Sequence, residues 1–286
     1  MAGVNVNTTT ISVPTELSST IIKKVQEGSA VMALAQSMDL PGLGLTIPII
    51  TSDPEAQWVT ETGKKPVSRP GLSTKVMQAY TLAVIVPFSN QFRHNLPALY
   101  NAIVERLPKA LAKKFDQTVF GSVAVPGSNF DTLANATAQS FGSDPYAALV
   151  AADADIADND GLTTGFVIAP KAKSALLSAT DTTGRPLFIN SVAEGAIPMI
   201  LGNPTKQSKH VYKNVSGGND VIGVAGDWTQ AFYGVAQKLS LSISDQATLT
   251  DGDQTINLWQ QNMFAVRAEI EVGFVADTSV FNLLTE

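Results

Sequence analysis

The sequence predicts an α+β fold, and three observations carry the prediction. A long amphipathic helical pattern occupies about Leu96 to Phe120. Between about residues 140 and 238, helical and strand patterns alternate. From Leu239 onward every apolar run is strand-like.

The elements follow in order. Residues 1–14 are polar, Thr/Asn-rich and aperiodic, ending at Val13-Pro14, which marks an extended arm, free or laid on a partner. Thr15 is the expected N-cap of a helix opened by Glu16 and Leu17. Ile21, Ile22 and Val25, then Val31, Met32, Leu34, Ala35 and Met38, recur at helical spacing with Gly28-Ser29 between the two groups. Two short helices ending at Leu40-Pro41-Gly42 are expected. Leu45, Ile47, Ile49 and Ile50 form a β-rich run that Asp53-Pro54 breaks and Trp58-Val59 resumes. Residues 60–72 carry two prolines, two glycines and the cations Lys64, Lys65 and Arg69, the composition of an exposed loop. Extended chain returns from Ser73 to Phe88 through Val76, Tyr80, Leu82, Val84 and Val86. Residues 45–88 therefore predict one long β-hairpin with a basic tip. An isolated hairpin is marginal in water, so it packs on the rest of the chain or on a neighbour.

In the long helix, Asn95 is a good N-cap and Pro97 is tolerated in the first turn. Leu96, Leu99, Ile103, Leu107, Leu111, Phe115 and Val119 form its apolar stripe, and Glu105 and Lys109 lie one turn apart on the other side. Pro108 removes the bond to the Val104 carbonyl and predicts a bend; Gly121 ends the helix. Ser143 or Asp144 caps a helix from Pro145 to about Asp158. Phe166-Val167-Ile168 is a short buried strand, and Pro170 starts a helix through Leu176 and Leu177. Ile197–Leu201, Val221–Ala225, Leu239–Ser244, Thr255–Leu258 and Val266–Phe274 are strand patterns, with an Asp251-Gly252 hairpin turn among the last three.

Composition excludes whole classes of chemistry. The 286 residues contain no cysteine and two histidines, which removes disulfides, thiolate metal sites, Fe–S clusters, cysteine nucleophiles and histidine-rich metal centres. A net charge of −6 does not suit a chain that grips nucleic acid by neutralising phosphates. No apolar run is long enough to span a bilayer, and the first residues do not form a secretory signal. Charged residues make up 15%, against about 25% in an ordinary soluble domain. Either neighbouring subunits cover much of the surface, or the surface is neutral and Ser/Thr/Asn-rich.

No catalytic, cofactor or metal site emerges. There is no G-x-S-x-G elbow and no Walker loop. Gly42-Leu43-Gly44 lacks the third glycine and following helix of a dinucleotide fingerprint. Asp153, Asp155, Asp158 and Asp160 precede Gly161. Placing that glycine at the calcium-loop position puts Ile156 and Val167 at the first and last ligands, so the template fails and an acidic surface helix remains. His94 beside the helix cap and His210 beside Lys209 are read as surface or capping histidines. Lys64, Lys65 and Arg69 are read as a solvated or intersubunit tip, since no aromatics interleave them.

The order of elements, together with particular residues, resembles the major capsid proteins of tailed phages of the Hong Kong 97 type. Ala56-Gln-Trp-Val-Thr-Glu61 before the Lys/Pro-rich tip is similar to that family's E-loop. Ala83-Val-Ile-Val-Pro-Phe-Ser89 leading to Asn95-Leu-Pro-Ala-Leu99 resembles the run into its spine helix, and Asp116–Gly121 the end of that helix. Phe166-Val-Ile-Ala-Pro170, Thr183-Gly-Arg-Pro-Leu187 and Met199-Ile-Leu-Gly-Asn-Pro204 resemble the A-domain. Gly226-Asp-Trp228 with Ala231-Phe-Tyr-Gly-Val235 resembles the strand crossing back, and Asn262–Gly273 the closing P-domain strand.

The resemblance implies an N-terminal arm (1–20), the start of the P-domain (21–44), an E-loop hairpin (45–88), the spine helix and following loop (89–139), an A-domain (140–238), P-domain strands (239–272) and a C-terminal segment returning to the A-domain (273–286). It implies a non-enzymatic subunit, without cofactor, that self-assembles as hexamers and pentamers into an icosahedral shell around double-stranded DNA. Implied partners are a separate scaffolding protein, since the hairpin begins too near Met1 for a fused one, a portal and cement or decoration proteins; no membrane is involved. Assembly in the bacterial host cytoplasm and residence in the virion follow. Trp58, Glu61, Lys64, Lys65 and Arg69 are the implied intersubunit contacts at the E-loop tip. An encapsulin shell enclosing cargo enzymes shares the fold. A hydrolytic enzyme with a β-rich accessory part is the distant alternative; it would need carboxylates converging with Glu269 and Glu271, which face one side of a strand. Some family members join an E-loop lysine to a neighbour's asparagine. Lys64, Lys65, Asn257 and Asn262 stand in the matching regions, but residues 244–262 contain no glutamate to act as base, so a non-covalent shell is expected.

Overall fold

The computed structural model describes residues 15–286 except 43, 53–55, 62, 69–70, 92–95, 143, 181–182, 186 and 189–198. In chain order these form α1 (Thr15–Gly28), α2 (Ala30–Leu34), β1 (Gln36–Asp39), β2 (Leu45–Ser52), β3 (Gly71–Met77), β4 (Tyr80–Ser89) and α3 (Leu96–Val119). There follow β5 (Thr137–Ser140), α4 (Pro145–Asp158), β6 (Gly165–Ile168), α5 (Pro170–Ser178), β7 (Met199–Ile200), β8 (Asn203–Gln207), β9 (Val221–Gly226), β10 (Ala231–Ser244), β11 (Thr248–Asp251), β12 (Gln254–Asn257), β13 (Met263–Ala276) and β14 (Phe281–Thr285).

Two sheets organise the chain. The first has the order β1-β10-β13-β4, and the second β5-β14-β9-β6-β8-β7. In the first sheet, β10 and β13 run antiparallel from Ala231↔Ala276 to Ser244↔Ala265, with irregularities near Gln237. Along β13, Phe264, Val266, Ala268, Ile270, Val272 and Phe274 are buried, while Arg267, Glu269 and Glu271 alternate onto the open face. Helix α3 covers the buried face, with Phe115 edge-on to Phe274 (6.4 Å) and to Phe130 (6.2 Å). In the second sheet every residue of β6 and β9 is buried. The near-continuous apolar composition of these short strands follows from cover on both faces. Trp228, in the turn between β9 and β10, is anchored on the second sheet, donating Nε1–H to the Gly165 carbonyl (3.1 Å) and packing edge-on against Phe281 (5.2 Å). One apolar core runs through both units. Among the described residues no helix is long and apolar enough to cross a membrane.

Several sequence expectations hold in detail. Asp144 caps α4, its Oδ1 accepting from the amides of Tyr146 and Ala147 (both 3.1 Å), with Pro145 in the first turn. Gly121 ends α3 at φ 74°, where Gly121 N–H bonds Thr118 O (3.1 Å) and Ser122 N–H bonds Gln117 O (2.8 Å), a Schellman closure. A Cβ at Gly121 would lie 2.2 Å from that of Ala134, so space as well as backbone angle requires glycine. Gly252, at φ 59°, turns β11 into β12. Lys109 pairs with Glu105 at 2.9 Å, and that pairing holds the Glu105 carboxyl below its usual range.

Other expectations are corrected. The helix expected to open at Thr15 and Glu16 is present from Thr15, inside the 1–20 segment ascribed to the N-terminal arm; residues 1–14 lie outside the described residues. Residues 36–39 are strand rather than helix, because they pair in parallel with β10, Gln36↔Phe232 to Asp39↔Val235. The hairpin predicted over 45–88 closes at Met77, opposite Leu45, and residues 80–89 join β13 instead, Val272↔Tyr80 to Met263↔Ser89. The A-domain predicted to end at 238 hands over earlier, since β10 enters the first sheet at Ala231. The return expected at 273 comes later, because β13 stays in that sheet to Ala276 and β14 joins β9 and β5. Helix α3 has the span expected, Leu96 to Val119 with Pro108 inside it, while the cap expected at Asn95 lies outside the described residues.

Candidate subunit interface

Among the described residues, strands β2 and β3 pair only with each other, in register from Leu45↔Met77 to Ser52↔Gly71. Their base is fixed tightly. Met77 is fully buried with Leu40 and Val275 in a small second core. Lys75 Nζ reaches Asp131 Oδ2 (2.9 Å) and the Ala276 carbonyl (2.7 Å), and the same Asp131 oxygen accepts the Ala276 amide (3.2 Å). Gly44, at φ 88°, makes the entry turn by donating to the Pro41 carbonyl (2.9 Å), and a Cβ there would meet the Met77 carbonyl at 2.9 Å. Gly42 and Gly44 therefore belong to a chain reversal at the hairpin base, and Leu43 between them lies outside the described residues.

The tip is the opposite case. Residues 56–60, Glu61, Lys64, Lys65 and 66–68 are exposed and adopt neither helix nor strand. Trp58 is 105% exposed and Val67 86%. A wholly exposed tryptophan forgoes one of the largest burial energies a side chain offers, and an apolar patch on a projecting loop marks a contact surface. The structure thus brings Trp58, Glu61, Lys64 and Lys65 onto one projection; Arg69 lies outside the described residues.

The sequence reading missed a second exposed tryptophan. Trp259, 73% exposed, sits beyond the β11–β12 hairpin in a turn where Asn262 adopts φ 53°. Asn90 holds that turn, donating Nδ2–H to Asn262 Oδ1 (2.7 Å) and its amide to Asn262 O (3.0 Å). A tryptophan inside the polar run Asn257-Leu-Trp-Gln-Gln-Asn262 was the available signal.

It also missed a buried polar cluster. Asp116, fully buried on α3, accepts from Ser29 Oγ (2.5 Å) and from the amides of Ala30 (3.0 Å) and Val31 (3.4 Å). These are the first amides of α2, which lack partners within their own helix. His210 Nδ1 lies 3.2 Å from the second oxygen, as an N–H donor. His210, a partly exposed histidine, ties the second unit to α3 through this contact. His94 lies outside the described residues. No cluster of potential metal ligands occurs among the described residues, and Glu269 on the open sheet face pairs with Arg267 (3.1 Å).

A further polar group braces the second sheet. The Tyr212 hydroxyl (2.7 Å), the Val215 amide (3.1 Å), Lys171 (3.5 Å) and Asn214 Nδ2 (3.0 Å) converge on Asp220, and hold its carboxyl below the usual range, the tyrosine bond most of all. Lys171 also pairs with Glu286, which raises the lysine. Because the folded carboxyl titrates below the unfolded one, this stabilisation is present above the ordinary carboxylate range and is lost as pH falls through the lowered value. Tyr212→Phe is expected to flatten the acid limb of the stability curve in thermal melts across about pH 2–6. Equal acid sensitivity in both proteins would refute the assignment.

Comparison with known proteins places this architecture. The phage capsid family matches residues 10–281. The probable major capsid protein of Mycobacterium phage D29 is 29% identical over 278 residues, covering 92% of this chain and 86% of that protein. The major capsid protein of Staphylococcus phage 80alpha is 24% identical over 284 residues, covering 93% and 82%. A solved structure from Mycobacterium phage Adephagia superposes with a TM-score of 0.73 at 22% identity, covering 90% of both chains.

Proposed function

The chain belongs to the phage capsid family, and on that premise we propose that it is the major capsid protein of a tailed, double-stranded DNA bacteriophage. It is a structural subunit that self-assembles into an icosahedral shell, carries no catalytic role and resides in the virion after assembly in the host cytoplasm. The observation that carries this reading is the extent of the family match, residues 10–281, which spans the hairpin, α3 and both sheets. The surface supports it. The hairpin tip, with exposed Trp58, Val59 and Val67, has little of its own chain to lie on, and a neighbouring subunit supplies that platform. Portal, scaffolding and decoration proteins are the further partners of this reading, and the low charge and net charge of −6 suit a wall that encloses DNA without binding it tightly. Electron microscopy and sizing of the purified protein test it: closed icosahedral particles are expected, and a protein that stays monomeric at assembly concentrations overturns it.

The shell is expected to be non-covalent. Lys64 and Lys65 are exposed to water, whereas isopeptide formation needs a water-poor site. Asn257 Oδ1 accepts the Gln260 amide (3.2 Å), and Asn262 is engaged by Asn90. Boiled particles on a denaturing gel should give one band near 30.1 kDa. A ladder of multiples would show isopeptide cross-links.

A further inference from the structure

We infer that Trp58 of one subunit inserts into an apolar cavity between β4 and α3 of a second copy, with Glu61 facing Lys114 at the cavity mouth. The inference rests on the reading that the hairpin tip contacts a neighbour, and adds where and through which side chains it does so.

The cavity encloses about 190 Å³ and is lined by Tyr80, Leu82, Phe115, Phe130 and Val272, with Lys114 at its rim. Phe115, Phe130 and Val272 are buried, so the floor is apolar, while Thr81, Lys114 and Pro126 at the mouth are exposed. A cavity of about 150 Å³ with such a lining binds benzene, so this one has room for much of an indole. The tip supplies the matching group, a tryptophan with none of its surface buried.

The subunit's own Trp58 does not occupy this cavity, because its side chain is wholly exposed. Strand β2 carries the chain about 26 Å away from the hairpin base before the tip begins. Tyr80 stands three residues after Met77, at the base itself. The occupant is therefore another copy.

Two features fix the orientation. The cavity opens beside β4, the edge strand of its sheet, whose outer backbone groups have no strand partner among the described residues. Glu61 follows Trp58 by three residues and is exposed, and the exposed Lys114 ammonium has no ion pair among the described residues. With the indole in the cavity, opposite charges meet at the mouth and set the register of the tip.

Cross-linking tests the placement. The chain contains no cysteine, so introduced thiols report without background. Particles co-assembled from a Trp58→Cys chain and a Thr81→Cys chain are expected to yield an oxidised dimer that reductant splits, whereas Trp58→Cys with Val150→Cys on α4 stays monomeric. Excess wild-type chain in the mixture maintains assembly where the variants alone assemble poorly. In parallel, p-benzoylphenylalanine at position 58 is photolysed in assembled particles and its adducts are mapped by mass spectrometry. Adducts on peptides containing residues 80–82 or 114–130 of a second copy support the inference. Adducts elsewhere on a second copy overturn the inference and leave the docking reading standing. Particles without any intersubunit adduct overturn both.

Discussion

Replacing Asp116 by alanine is expected to cost about 3–5 kcal/mol of folding stability, because it orphans several buried donors at once. The Ser29 hydroxyl, the amides of Ala30 and Val31 and the His210 ring converge on this one carboxylate, which is fully buried. Each unsatisfied buried donor costs about 1–3 kcal/mol; the sum is less than additive because the cluster relaxes as a unit. The effect reaches far, since Asp116 joins the start of α2, the C-terminal part of α3 and the 3-10 turn Lys209–Val211. Asp116→Asn keeps the shape but turns one acceptor into a donor, so an intermediate loss is expected. Denaturant titration of the purified subunit measures both. A loss below about 1 kcal/mol for the alanine variant would show that water replaces the carboxylate and would refute this account of the cluster.

Excising residues 53–70 and joining Ser52 to Gly71 through Asn-Gly should leave the subunit folded and lower particle yield by at least roughly tenfold, since a loss of about 1.4 kcal/mol per contact suffices. The dipeptide closes a two-stranded ladder well. The base keeps its own anchors, Met77 in its small core and Lys75 on Asp131 and the Ala276 carbonyl. What disappears is the exposed surface of Trp58, Val67, Lys64 and Lys65. Circular dichroism reports the fold, and sedimentation with electron microscopy reports assembly. Normal particles from the shortened chain would place the assembly energy elsewhere, with Trp259 the next surface to examine.

The sequence by itself determined the elements whose signals are local. Asp144-Pro145 capped α4, Gly121 stopped α3, Asp251-Gly252 turned β11 into β12, and the short apolar runs at 166–168 and 221–225 lay in fully buried strands. Each depends on a few neighbouring residues and on backbone preferences that operate wherever those residues stand. The exposed tip was legible for the same reason, since prolines, glycines and lysines in close succession cannot be buried together.

Only the tertiary structure decided which strands share a sheet. Residues 71–77 and 80–89 show similar alternation, with Gln78-Ala79 between them giving no turn signal, yet one segment pairs with β2 and the other with β13. Residues 36–39 have helical spacing and become strand because the start of β10 offers a parallel partner. Ser29 and Asp116 are 87 residues apart and Asp116 and His210 are 94 apart, so no local pattern announces their meeting. The cavity between β4 and α3 likewise exists only where a sheet edge and a helix leave room between them. Strand pairing, long-range capping and cavities are settled by competition for partners across the whole fold, and that competition is resolved only when the chain is packed.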